Sequence, residues 1–325
     1  MATICNPRVE DAVEQKEFED YLFSDQIRIG RWTFNVNGEI SRGGNGIVYR
    51  LEDPVNRVNM ALKVSNTDEE AEIAERMKNA GCNILRMKTL PYDIFINNTY
   101  YNNKNAYLME LADGTLYHLF QNILPAVFPQ FRDDINQRRE TVLNLIEQIR
   151  SQIICLRNID NNRYIYTDLK PTNVLFKCRD QANLNSINVM LGDLGSAVPA
   201  GNPANIYVST YIAPEFRMQA GGNFRLLNDN QKYAYLSWQL GMLILYFFLP
   251  DVAAQNNYNR FTWNNVIHST DADALALRTR LRYFFGPTIG NLVHPDPLQR
   301  TDINNPIYPS PDPLPVIPNV VIPPF

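Results

Sequence analysis

The stretch YTDLKPTN, residues 166–173, puts an acid, a cation and an amide within six positions: Asp168, Lys170 and Asn173. Pro171 fixes φ between them, so the turn is stiff. A carboxylate there can accept a proton from a hydroxyl, an ammonium can meet developing negative charge, and an amide oxygen can ligate a hard cation. A second acid, Asp193, follows the apolar run of INVMLGD. A turn or cap aspartate is the plain alternative for either acid.

Upstream, ISRGGNGIVY sets Ser41, Gly43 and Gly46 at G-x-G-x-x-G spacing, with serine in the first slot and Gly44 between. Glycines let backbone amides approach phosphate oxygens without a Cβ in the way. A hairpin turn explains the same residues. A strand-like run follows the glycines, which argues against nucleotide motifs that open a helix. Lys63 then stands inside Met60-Ala61-Leu62-Lys63-Val64. A lysine in a buried strand is costly unless an anion meets it, and phosphate oxygens would do so. An edge-strand lysine reaching water is the alternative.

Several elements must position these groups. Residues 9–23 read as an amphipathic helix. From about residue 27 to 64 the pattern is strand-like, in IRIGRWTFNV, GIVYRLE and VNMALKV. DEEAEIAERMKNA is a helix with an acidic first turn. FINNTYYNN and NAYLMELA read as another hairpin. TVLNLIEQIRSQIICLRNI has helical apolar spacing, and TNVLFK and INVMLGD read as short strands. Helical patterns then dominate to about residue 285. The last 20 residues hold 8 of the 21 prolines and read as an extended tail, open to packing on a lobe or to a partner. This sketches a β-rich front half and a helical back half.

Composition sets bounds. The 325 residues, 45% hydrophobic, can bury a large core, and the net charge of −4 implies no nonspecific nucleic-acid binding. The apolar run Leu240–Pro250 is about half of what a membrane helix needs, so a core helix is expected and no membrane association. Cys5, Cys82, Cys155 and Cys178 lack metal-ligand spacing and read as reduced thiols of an intracellular protein, cytoplasmic or nuclear. The asparagine-rich, lysine-poor composition suggests a virus or an AT-rich genome.

In this order the residues resemble the eukaryotic-type protein kinase superfamily over roughly residues 38–302. The glycine stretch is similar to the phosphate-covering loop, MALKV to the strand of the ATP-binding lysine, DLKPTN to the catalytic loop and LGDLGSA to the magnesium-binding segment. YIAPEF is similar to the end of the activation segment, WQLGMLILY to the buried large-lobe helix, and Arg300 of DPLQRT to the arginine that pairs with the glutamate of Ala213-Pro214-Glu215. The resemblance implies an α+β, two-lobed fold: an N-terminal helical extension (1–30), a small β-rich lobe with one main helix (31–112), a larger helical lobe (113–303) and a proline-rich tail (304–325). It implies transfer of the γ-phosphoryl group of ATP, with Mg2+, to a serine or threonine hydroxyl of a protein.

The implied roles follow the motifs. Lys63 would hold the α- and β-phosphates, and Asp193 and Asn173 would ligate magnesium. Asp168 would orient the hydroxyl and take its proton. Lys170 would meet the charge on the phosphoryl group, at a place that accompanies serine/threonine specificity. Ser41, Gly43, Gly44 and Gly46 would cover the phosphates. Met109 would sit at the gatekeeper place, Glu110 and Ala112 would present backbone groups to adenine with Leu111 between them, Val48 and Ala61 would cover the ring, and Leu175 would lie below it. Glu72 fits best as the partner of Lys63 by its distance to Asn83-Ile84, with Glu75 and Glu69 as alternatives.

The chain also departs from the pattern. Tyr166-Thr167 stand where a histidine-arginine pair precedes the aspartate, and that arginine normally receives an activation-segment phosphate. Leu236 replaces the aspartate two residues before Trp238 that normally braces this turn; Tyr166 would replace the bracing by packing. Val208 stands for the usual threonine before TYIAPE, with Ser209 and Thr210 beside it. The segment from Asp193 to Glu215 is short, and KCRDQANLNSIN reads as a surface insertion. Three readings result: an active serine/threonine kinase without an arginine switch, a catalytically weak kinase-like binding module, and a small-molecule phosphotransferase, which the Ala-Pro-Glu segment with Arg300 disfavours.

Overall fold

The computed structural model describes residues 35–307 except 44–45, 54–57, 68, 86, 91–92, 97–98, 103–104, 129–130, 132–133, 160–163, 179, 181–182, 203, 206–212, 217–225 and 249–270. The expected helix at 9–23, Gly44, the Val208–Thr210 stretch and the tail beyond Ile307 lie outside the described residues.

The front half is a five-stranded sheet of order β1-β2-β3-β7-β4, built from β1 (Asn35–Gly43), β2 (Gly46–Asp53), β3 (Val58–Ser65), β4 (Met87–Thr89) and β7 (Ala106–Glu110). Period-two alternation sorts the faces of β3. Met60, Leu62 and Val64 join a compact core with Tyr49, Leu51 and Leu108, while Ala61 and Lys63 face the other way. Strands β5 (Ile94–Ile96) and β6 (Thr99–Tyr101) pair with each other. The expected hairpin is therefore FINNTYY alone, because NAYLMELA supplies β7 to the main sheet beside β3 and β4. Helix α1 (Glu69–Asn79) packs Ala71, Ile73, Ala74 and Met77 inward.

The back half is built around α2 (Ile135–Arg157) and α3 (Asp229–Phe248), with α4 (Asp271–Phe285) behind. Helix α3 is apolar nearly all round, and Trp238, Leu240, Leu243 and Phe248 are fully enclosed, as a helix at the centre of a core must be. It carries residues 240–248 of the apolar run and is the expected core helix. Among the described residues no helix is long and apolar enough to cross a membrane.

Against these helices lie the hairpin of β10 (Val174–Cys178) with β11 (Ile187–Leu191), joined by the short β8 (Gly114–Thr115), and the pair of β9 (Tyr164–Tyr166) with β12 (Ala197–Pro199). Strand β11 is an edge, yet its main chain is not left bare. Gln148 of α2 accepts from Val189 N (2.9 Å) and donates to Ile187 O (3.1 Å). Gln152, one turn on, accepts from Leu191 N (2.7 Å) and donates to Val189 O. Two glutamines four apart share a helix face and act as a substitute strand. They fix the strand that delivers Asp193.

The cysteines require a correction. Cys82, just past α1, and Cys155, near the end of α2, form a disulfide with a Cα–Cα distance of 5.8 Å, and no described cysteine is a free thiol. Their wide separation in sequence concealed their adjacency, so the reduced-thiol expectation fails, and with it the compartment argument built on it. The bond spans 73 residues and ties the exit of α1 to the helical half. A Cys82→Ser/Cys155→Ser variant is expected to lose about 2–4 kcal/mol of stability. Urea unfolding of the two proteins checks this, and an unchanged midpoint would remove the bond from the stability account.

Candidate active site

A cleft of about 250 Å3 separates the sheet from the helical half. Its roof is the β1–β2 hairpin, with Ser41, Gly43, Gly46 and Val48 on the wall. Strands β1 and β2 close at the pair Gly43–Gly46, so the glycine stretch is a hairpin and a cleft roof at once. Gly46 has φ +140°, and a Cβ there would stand 2.1 Å from Val64 O. That approach to β3 admits glycine alone. The inner edge is formed by Met109, Glu110, Leu111 and Ala112, with Ala61 above and Leu175 below. The Glu110 carboxylate meets Lys177 Nζ of β10.

Lys63 reaches into this cleft from β3. Its ammonium pairs with Glu70 of α1 and lies 2.9 Å from Asp193 Oδ1. Burial opposes its charge, but the carboxylates of Glu70 and Asp193 outweigh it and raise its pKa above the ordinary lysine value. Glu70, not Glu72, is thus the partner. Glu70 is wholly buried, whereas Glu72 is 60% exposed and pairs with Arg76 on the outer face of α1. Two residues turn a helix by about 200°, so the two glutamates point to opposite sides.

Asp193 is the one non-glycine with positive φ among the described residues (φ 52°, ψ 57°). Aspartate tolerates this left-handed conformation better than most, and such conformations cluster at functional sites. Gly192 before it is closely packed: a Cβ would stand 3.1 Å from Leu175 Cγ and 3.3 Å from Asn173 O, so Leu175 would have to give way by a few tenths of an ångström. Gly192 N donates to Asn173 O (2.8 Å), so the two candidate metal-binding residues are tied through the backbone.

Asp168 sits on the irregular segment after β9. Its Oδ2 accepts from Lys170 Nζ (2.6 Å) and from Asn173 Nδ2 (3.0 Å). Asn173 Nδ2 also reaches Asp168 O (2.9 Å). The amide nitrogen is thereby turned toward Asp168, which aims the carbonyl oxygen elsewhere. The Asp193 carboxylate and the Asn173 amide oxygen form a hard, sparse oxygen donor set of the kind that would suit Mg2+.

Tyr166 and Thr167 have a job beyond packing. Tyr166 is fully buried, and its hydroxyl donates to Gly192 O (2.6 Å). Burial first, then the Asp193 and Asp168 carboxylates, push its pKa far up, so the hydroxyl keeps its proton. Thr167 Oγ1 donates to Ser196 O (2.8 Å) and Thr167 N to the same oxygen (3.1 Å). The two residues therefore grip the chain on both sides of Asp193. The sequence implied packing alone for Tyr166. Gln239, whose amide bonds the backbone of Thr167 and Leu169, was not foreseen; a polar residue in the run WQLGMLILY was its only signal.

Arg300 meets Glu215 through both guanidinium nitrogens (2.5 and 2.6 Å) and lies 5.1 Å from the Trp238 ring. This bidentate pair fastens the Ala-Pro-Glu turn to α3, as the motif implied.

Comparison with known proteins places the chain in a family. The family description "Protein kinase domain" matches residues 34–275. "Myosin light chain kinase A" of Dictyostelium discoideum is 26% identical over 187 residues, 56% of this chain and 58% of that protein. A probable serine/threonine-protein kinase of the same organism is 28% identical over 148 residues, 44% of this chain and 29% of that protein. The chain thus spans less than two thirds of the length of either relative. Among solved structures, the ROP18 kinase domain in complex with AMP-PNP and sucrose is similar over 82% of this chain and 75% of that one, at 17% identity and a TM-score of 0.47.

Proposed function

The chain belongs to the protein kinase domain family, and from that premise we propose that it transfers the γ-phosphoryl group of ATP, with Mg2+, to serine or threonine hydroxyls of proteins without a phosphorylation switch. The observation that carries this reading is the Glu70–Lys63–Asp193 chain of charges across the cleft, with Asp168, Lys170 and Asn173 already joined beside it.

Lys63 holds the α- and β-phosphates. Asp193 and the Asn173 amide oxygen take Mg2+, which when bound offsets the charge on the phosphate oxygens. Asp168 orients the acceptor hydroxyl and takes its proton, and Lys170 meets the charge that develops on the transferred group. The cleft edge from Met109 to Ala112 receives adenine. Residues 31–112 and 113–303 serve as the two lobes. The bonds from Tyr166 to Gly192 and from Thr167 to Ser196 support independence from activation-segment phosphate, because they hold the segment around Asp193 without an arginine.

The test uses ATP labelled at the γ-phosphate, Mg2+ and a generic basic protein. Label on serine and threonine is expected from protein never exposed to another kinase, and phosphatase treatment leaves the rate unchanged. No transfer, with ATP still raising the melting temperature, would favour the binding-module reading. Transfer to small molecules alone would favour the third reading.

A further inference from the structure

We propose that Gln239 is a positioning residue for Asp168, holding the catalytic carboxylate by bonding the peptide groups on either side of it. This rests on the functional reading above and adds a residue to it.

Gln239 lies on α3 and is fully buried. A buried primary amide is retained only where its donor and acceptor are met. Here Oε1 accepts from Leu169 N (3.2 Å) and Nε2 donates to Thr167 O (3.4 Å). Those two groups flank Asp168. Residues 167–170 form no regular element, so this N–H and this C=O have no helical or ladder partners of their own. A glutamine amide offers the required pair: one acceptor for the N–H and one donor for the C=O. Leu236, one turn earlier on the same helix, is also fully buried but can offer only apolar contact. Helix α3 is more enclosed than the other long helix of the back half, α2, so the brace transmits a rigid reference to the irregular segment. Leu169, itself fully buried, adds packing but cannot fix the rotation of the peptides beside it. Asp168 is then aimed from three sides: Lys170 and Asn173 at its carboxylate, Gln239 at its backbone.

The first variant is Gln239→Met, which keeps length and volume while removing both bonds. We expect kcat to fall about 10–100-fold with KM for ATP changed by less than about 2-fold, because a small misplacement of a reacting group costs rate while the nucleotide cleft is untouched. Hydrogen exchange at the Leu169 amide should accelerate at least about 10-fold. A folded variant with unchanged kcat in an active wild-type background overturns the proposal, and unchanged Leu169 exchange overturns it whatever the activity. An inactive wild type with accelerated Leu169 exchange would instead sink the functional reading and leave the brace standing. The second variant, Gln239→Glu, serves if the first does not fold. A buried carboxyl protonates readily and regains the donor when it does. Its rate relative to wild type should therefore climb from about pH 8 to about pH 6, and a flat ratio overturns the brace.

Discussion

Replacing Asp168 with asparagine lowers phosphoryl transfer by about 10²–10⁴-fold, the usual weight of a positioned general base. The substitution is nearly isosteric. An amide oxygen in place of Oδ2 can still accept from Lys170 Nζ and Asn173 Nδ2, so the local fold should persist. What disappears is a group able to take a proton from the acceptor hydroxyl and the charge that pairs with Lys170. Asp168 does not line the cleft proposed to take the nucleotide, so the rise in melting temperature on adding Mg2+ and ATP should match that of the wild type. Single-turnover transfer from labelled ATP measures the first quantity and thermal denaturation the second. Transfer within about 2-fold of wild type would remove Asp168 from the chemistry, and a lost thermal shift would mean that the substitution had damaged the nucleotide site instead.

Which features could be read from the sequence follows from how local each one is. The Asp168–Asn173 turn, the Lys63 strand and the glycine hairpin are set by residues a few positions apart, and the sequence carried their outlines. The Arg300–Glu215 pair is distant in sequence but was carried by two motifs of the resembled family. The failures share a different cause. Glu70 and Glu72 lie on one acid-rich helix, and composition cannot tell a buried face from a wet one when the register is off by two. Cys82 and Cys155 meet only because the turn after α1 settles on α2, a contact no spacing rule contains. The glutamines were invisible for a related reason. Gln148, Gln152 and Gln239 each bond main chain of remote segments, so their own neighbours in sequence say nothing of their partners. In this chain an amide on a helix repeatedly does what a strand partner or a charged brace would otherwise do.

The Glu70 assignment leads to the sharpest contrast between two neighbouring residues. Glu70→Gln should destabilise the protein by about 3–5 kcal/mol, because it removes one partner of a buried ion pair and leaves Lys63 under-compensated. Glu72→Gln should cost no more than about 0.5 kcal/mol, since its pair with Arg76 is exposed and spaced i,i+4 along the helix. The first change also alters the site. Without Glu70, Lys63 has Asp193 as its remaining carboxylate partner in the cleft, so on the proposed function Lys63 and Mg2+ would compete for the same side chain. The thermal shift caused by Mg2+ and ATP should shrink in Glu70→Gln and stay intact in Glu72→Gln. The pH dependence has a fixed sign. Folding raises the pKa of Lys63 above its ordinary value of 10.5, so the stabilisation is fully present below that value and is lost as pH climbs through the higher folded one. The gap between the two variants should therefore hold across neutral pH and close only in strong alkali. Urea unfolding of both variants at neutral and alkaline pH measures it. Equal losses in the two, or a larger loss for Glu72→Gln, would return the Lys63 partnership to the outer face of α1.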